Sequence, residues 1–166
     1  PWLLATICSG TVCALLSGMF EATLAQSLVM AFFITLVLGL GESVSIQSMT
    51  VAIQALHTTP PTWKWFFDAL RREVATSMFL GGSCGGLVAL IVWLWQGAIM
   101  AAIVIGGSVA LSLFMACVIG LGIPSVLHAL KLDPKIAAGP ITLALTDIST
   151  LLIYFTLGTA LLLKAA

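Results

Sequence analysis

Charge is what this sequence most lacks. Only 7% of its 166 residues are Asp, Glu, Lys or Arg, and the six basic residues balance the six acidic ones. No basic field exists that could hold a nucleic-acid backbone, which excludes nucleic acid as a main partner. Soft metal ligands are equally sparse. There are two histidines, and Cys8, Cys13, Cys84 and Cys117 stand in apolar surroundings without CxxC spacing. The cysteines read as small packing residues, not as a disulfide or zinc frame. The sequence also has no signal-peptide pattern at Pro1, no soluble linker, no low-complexity segment and no internal repeat, so 1–166 reads as a single domain. Because the chain enters an apolar run directly at Pro1, the expectation is that a cytosolic segment or domain precedes it.

What fills the space is apolar: 61% of the residues are hydrophobic and the mean hydropathy is +1.21. A water-soluble domain of this size could not hide so much apolar surface, so the reading is an all-α integral membrane protein. From Trp2 to Leu40 the only charge is Glu21. One helix of that length would reach roughly 58 Å, about twice a hydrocarbon core, and must fold back near Glu21. Five transmembrane helices follow, over about 2–20, 24–56, 74–95, 98–127 and 136–163. The second is long, with Gly39, Gly41 and a polar stretch within it, and is expected either to extend past the membrane or to be broken. An aromatic and basic segment at 62–73, capped by Thr62, is expected to lie on the membrane surface. Basic residues fix the orientation. Lys64, Arg71, Arg72, Lys131 and Lys135 fall in loops on one side and only Lys164 on the other, so the N-terminus is placed in the cytoplasm and the C-terminus outside, in the cell (inner) membrane. Gly81, Gly82, Gly85 and Gly86 form two overlapping GxxxG patterns that permit close helix approach.

Asp147 is the strongest functional signal, a carboxylate about eleven residues into the fifth span with no charge within a helical turn. Such a residue costs about 2.5–3.5 kcal/mol on insertion scales and usually marks an ion or proton pathway. Gly139, Leu143, Asp147, Thr150 and Tyr154 share a helical face that could line a cavity, with Leu143 offering a backbone carbonyl. Thr146 and Thr150 can line the same path or simply hydrogen-bond the carboxyl. In the second span Ser43, Gln47, Thr50 and Gln54 recur at helical spacing, a stripe suited to a water-filled wall or to interhelical hydrogen bonds. Glu42 lies beside it as a second carboxylate at membrane depth. Glu21 marks an outer mouth, either as a solvated turn charge or as a concentrator of cations. Glu73 reads as part of the interfacial cluster with Asp68, Arg71 and Arg72. His57 and His128 fall near helix C-termini, where an imidazolium is favoured.

Several segments together resemble one family. PWL at Pro1 to Leu3, FEATLAQ at Phe20 to Gln26, AFFI at Ala31 to Ile34, QSMTVAIQAL at Gln47 to Leu56, LDPKIAAGP at Leu132 to Pro140 and TDISTLLIYF at Thr146 to Phe155 resemble the membrane domain of MgtE-type magnesium transporters, a family related to a eukaryotic solute-carrier family. The resemblance implies five helices per subunit, a homodimer with its pore on the two-fold axis, and recognition of hydrated Mg²⁺ by the residue that corresponds to Asp147. It implies transport rather than catalysis, Mg²⁺ as the transported ion with other divalent cations also possible cargo, and a cytosolic regulatory domain beyond these residues. Mg²⁺ keeps several waters and is held by one or two carboxylates, which suits a sparse site of two symmetry-related Asp147 side chains. Two positions depart from the pattern. Glu42 stands where the family usually has glycine, and Thr150 where it often has glycine. A Na⁺- or H⁺-coupled Mg²⁺ exchanger is the alternative within transport. An intramembrane aspartyl protease is a remote one, since neither Glu42 nor its order relative to Asp147 matches the GxGD pattern.

Overall fold

The computed structural model describes residues 2–58, 63–131 and 134–162. Thr62 lies outside the described residues, as do the side chains of His57, Trp63, Lys64, Trp65, Phe66, Lys135 and Lys164. Among the described residues six helices follow one another: α1 (Trp2–Met19), α2 (Glu21–Gln26), α3 (Leu28–Thr58), α4 (Trp63–Gln96), α5 (Ile99–Ala129) and α6 (Pro134–Leu162). In the stretches Leu28–Leu56, Phe67–Gln96, Ile99–Ala129 and Ala138–Leu161 the helices are long and apolar enough to cross a membrane. At 18 residues α1 is apolar but shorter, roughly 27 Å against a core of about 30 Å.

The chain turns back near Glu21, but in two steps. Thr23 and Leu24 N–H groups bond the Phe20 carbonyl at 3.0 and 3.1 Å, starting the short α2. Ser27 then leaves helical geometry at φ −134° and ψ 84°, and its carbonyl accepts the Met30 N–H at 3.0 Å to start α3. The second long helix therefore starts at Leu28, not near Leu24. The segment expected on the membrane surface, 62–73, is from Trp63 onward part of the same helix as the span that follows: α4 runs unbroken for 34 residues from Trp63 to Gln96, about 51 Å. From Trp63 to Leu80 no Gly or Pro interrupts the helical hydrogen bonds, so nothing ends the helix at the start of its apolar run. The α4–α5 turn is made by Gly97, at φ +67°. Its N–H bonds the Trp93 carbonyl at 2.8 Å, a helix stop in left-handed geometry that glycine adopts without a Cβ penalty.

Helix α5 packs against α3, α4 and α6, and buries Ile105, Val109, Leu113 and Leu121 almost completely. Lipid tails are as apolar as these side chains, so helix association here rests on close contact. The contact is backbone to backbone at small residues. A Cβ on Gly106 would stand 2.5 Å from the Gly85 carbonyl oxygen, and one on Gly81 2.9 Å from that of Ala110. Of the two overlapping glycine patterns, Gly81 and Gly85 thus form the α4–α5 seam, while Gly82 and Gly86 meet nothing within 4 Å. Leu3, Ile7, Phe79, Leu87 and Leu94 are exposed on the outside, as a lipid-facing surface requires. On the other flank α6 is tied to the start of α3, where the Tyr154 hydroxyl donates to the Met30 carbonyl at 2.9 Å.

Candidate cation site

Helices α3 and α6 cross where Gly41 meets two threonines. A Cβ at Gly41 would lie 3.0 Å from Thr150 Oγ1 and 3.5 Å from Thr146 Cγ2, so the missing side chain lets the helices approach. This approach brings the next residue, Glu42, beside Asp147, with the two carboxyls close enough to share a hydrogen bond. Both are half-buried. Among the described residues Asp147 Oδ1, which is buried, has no hydrogen-bond partner, and neither do the buried hydroxyls of Thr142 and Thr146. A carboxylate oxygen left unpaired at this depth is an acceptor set for a ligand or for water. The third element at the site is α1, whose Cys13 is near enough to feel the Asp147 charge.

The face expected on α6 divides. Gly139, Leu143 and Asp147 are half-buried, whereas Thr146, Thr150 and Tyr154 turn into the packed interior. Within one chain the two threonines thus face α3. The Leu143 carbonyl sits in continuous helix and is engaged by the peptide N–H one turn on, which leaves its second lone pair for a ligand. On α3 the stripe is intact: Ser43, Gln47, Thr50 and Gln54 are all exposed. Ser43 Oγ donates to the Gly39 carbonyl at 2.8 Å and Thr50 Oγ1 to that of Ile46 at 2.7 Å, so both hydroxyls direct only lone pairs outward. Glu21 is exposed in the first turn of α2. It belongs to the far end of the bundle, where Thr23 and Thr159 share a hydrogen bond at 2.8 Å, about 18 Å along α6 from Asp147. The site is sparse. Among the described residues no three His, Cys, Asp or Glu side chains gather as a metal cage.

Sequence reasoning missed the role of Glu73. It is not simply a member of the interfacial charge cluster, because its carboxylate reaches between helices: Ser48 Oγ donates to Oε2 at 3.3 Å, and Cys117 Sγ stands 3.5 Å from the same oxygen. The signal available was a second polar pair on α3, Ser45 and Ser48, offset from the exposed stripe and buried against α5 in the structure.

Comparison with known proteins bears on this arrangement of helices and carboxyls. The family model for MgtE, described as a divalent cation transporter, matches residues 34–157, a stretch that includes both Glu42 and Asp147. The chain belongs to the MgtE family. The family is one of transporters, not enzymes. The "Magnesium transporter MgtE" of Bacillus subtilis is 36% identical over 160 residues, covering 96% of this chain and 36% of that protein. That of Thermus thermophilus is 30% identical over 161 residues, covering 97% and 36%. That of Enterococcus faecalis is 28% identical over 158 residues, covering 95% and 35%. The chain therefore spans about a third of the length of these MgtE relatives.

Proposed function

We propose that this chain forms the conducting membrane domain of a homodimeric Mg²⁺ transporter, with a hydrated-ion site built from Asp147 and Glu42 of two copies around a two-fold axis. The observation that carries the reading is the meeting of Glu42 and Asp147 midway along α3 and α6, on a face that continues into the exposed Ser43, Gln47, Thr50 and Gln54. Lipid against that face would leave carboxylates and amides unsolvated. A second copy, with water between the two, removes the penalty and supplies up to four carboxylates to one path. Mg²⁺ suits such a path because it surrenders its waters reluctantly and can be held through them. The names of the relatives, magnesium transporters, agree with this cargo. In this reading α1 is the fifth crossing, Glu21 lies at the outer mouth, the N-terminus is cytoplasmic and the C-terminus outside. The matched stretch is 36% of the Bacillus subtilis protein, which leaves room there for the cytosolic regulatory domain that we include in the proposal.

The test is Mg²⁺ uptake into proteoliposomes with and without a Na⁺ or H⁺ gradient. Flux down the Mg²⁺ gradient alone, nearly lost in Asp147→Ala, is the expected result. A second reading, a coupled exchanger, is favoured by the carboxyl pair, since one member could serve a coupling ion. Uptake that requires the Na⁺ or H⁺ gradient would select it.

A further inference from the structure

The molecule has a polar-rimmed concavity away from the Glu42–Asp147 face. It is a crevice of about 330 Å³ between α3, α4 and α5, within the usual size range of small-molecule sites. Its apolar floor is made by Val51, Ala52, Ala55 and Leu121, and its polar rim by Asp68, Arg72 and Glu73. The position in the fold is informative. Val51 to Ala55 belong to the last turns of the membrane-length stretch of α3, which ends at Leu56, and Asp68 to Glu73 to the first turns of that of α4, which begins at Phe67. Apolar floor and charged rim therefore meet at the level where lipid tails give way to headgroups.

We propose that this crevice binds one zwitterionic aminophospholipid of the phosphatidylethanolamine type. Arg72 offers a planar guanidinium that matches a phosphate diester. Asp68 and Glu73 offer carboxylate acceptors, and a primary ammonium brings three N–H donors to them. The Glu73 carboxylate is held in place by Ser48 Oγ at 3.3 Å and Cys117 Sγ at 3.5 Å from Oε2, so one wall of the headgroup site is preorganised. Asp68 and Arg72 stand one turn apart on α4 and make no ion pair with each other among the described residues, which leaves both for the ligand. The charge pattern selects among occupants. Two carboxylates against one guanidinium disfavour an anionic headgroup, the guanidinium disfavours a bare divalent cation, and a quaternary ammonium has no N–H to donate. The floor on α3 and α5 then takes the first methylenes of an acyl chain.

The experiment is native mass spectrometry of the purified membrane protein after exchange into an equimolar mixture of phosphatidylethanolamine, phosphatidylcholine and phosphatidylglycerol with identical acyl chains. Wild type should retain the ethanolamine lipid at least tenfold over either competitor, as expected for charge-assisted hydrogen bonds. Arg72→Gln and Asp68→Asn should each remove most of that preference. Both side chains are exposed, so the variants should fold, and unchanged helical circular dichroism checks this. Ala55→Trp fills the floor and should lower retention of all three lipids at this site. Equal retention of the choline or glycerol lipid, or an ethanolamine preference that survives both charge variants, would overturn the assignment. Displacement of the bound lipid by Mg²⁺ at constant ionic strength would overturn it too, giving the crevice to a cation instead.

Discussion

Replacing Glu42 by Gln tests the site most sharply, because it removes charge while keeping shape and hydrogen-bonding capacity. A hydrated Mg²⁺ held through one water layer stands about 4.5 Å from a carboxylate oxygen, and at the dielectric of bulk water each such pair contributes about 2 kcal/mol. In a narrower and drier path it contributes more. A homodimer of Glu42→Gln chains loses two of these terms, about 4 kcal/mol together, so the half-saturating Mg²⁺ concentration should rise by several hundredfold. Maximal flux should persist, since Asp147 remains in each chain. Asp147→Asn should lose both, because Asp147 carries the buried, unpartnered oxygen. The assay is uptake followed with a Mg²⁺-sensitive dye across a concentration series at several pH values. Protons and cations compete for the same oxygens when two carboxyls share a site, so wild-type flux should fall as pH is lowered, and Glu42→Gln should show a shallower dependence. An unchanged half-saturation, pH profile and divalent preference in Glu42→Gln would refute the reasoning. Glu42 would then be a partner of Asp147 that turns away from the ion.

Three further outcomes follow from the geometry. Gly106→Ala should destabilise the bundle by about 1–3 kcal/mol, because its Cβ would meet the Gly85 carbonyl at 2.5 Å; Gly82→Ala, with nothing within 4 Å, should be neutral, and equal unfolding midpoints in detergent for the two variants would contradict the packing. Cysteine placed at the exposed Gln47, in a background without the native cysteines, should trap dimers on oxidation in membranes, and monomers that transport at full rate would rule the homodimer out. Cysteine at Gly97 should react with an impermeant reagent in intact cells and cysteine at Lys131 should not; the reverse pattern would invert the topology.

Much of this was legible because the bilayer limits the choices. Apolar runs of membrane length predicted α3, α5 and α6 within a few residues and the end of α4 but not its start, and the lone charge in a helical context singled out Asp147. The misses share a cause. Period and composition along one helix do not say which neighbour it faces. The polar stretch around Gly41 and Glu42 left a long or a broken helix open, and α3 is continuous, because Gly41 lies where α6 comes close and packing supports the helix there. The two glycine patterns on α4 were equivalent in sequence, and only the position of α5 separates Gly81 and Gly85 from Gly82 and Gly86. Thr146 and Thr150 flank Asp147 in sequence but point into the α3 contact. Glu73 was grouped with its neighbours in sequence although its partners, Ser48 and Cys117, come from two other helices.

The polar groups of α3 also separate into those that need a partner outside the chain and those that do not. Ser45 donates to the Glu42 carbonyl at 2.9 Å and Ser48 to Glu73 at 3.3 Å, so the buried hydroxyls are satisfied within the subunit. Ser43 and Thr50 donate to their own helix, which lets a hydroxyl face hydrocarbon at small cost. Gln47 and Gln54 have no such escape. Each amide carries two N–H donors and a carbonyl, and the helix backbone at their positions is already paired. Both are exposed, and among the described residues neither is hydrogen-bonded. Facing lipid, each would carry the cost of an unsatisfied polar group, several kcal/mol in hydrocarbon. Water or a second polar surface is therefore required along this face of α3 from Gln47 to Gln54, on the same helix that carries Glu42. The two amides, more than the hydroxyls, argue that the carboxyl pair opens onto a wet path.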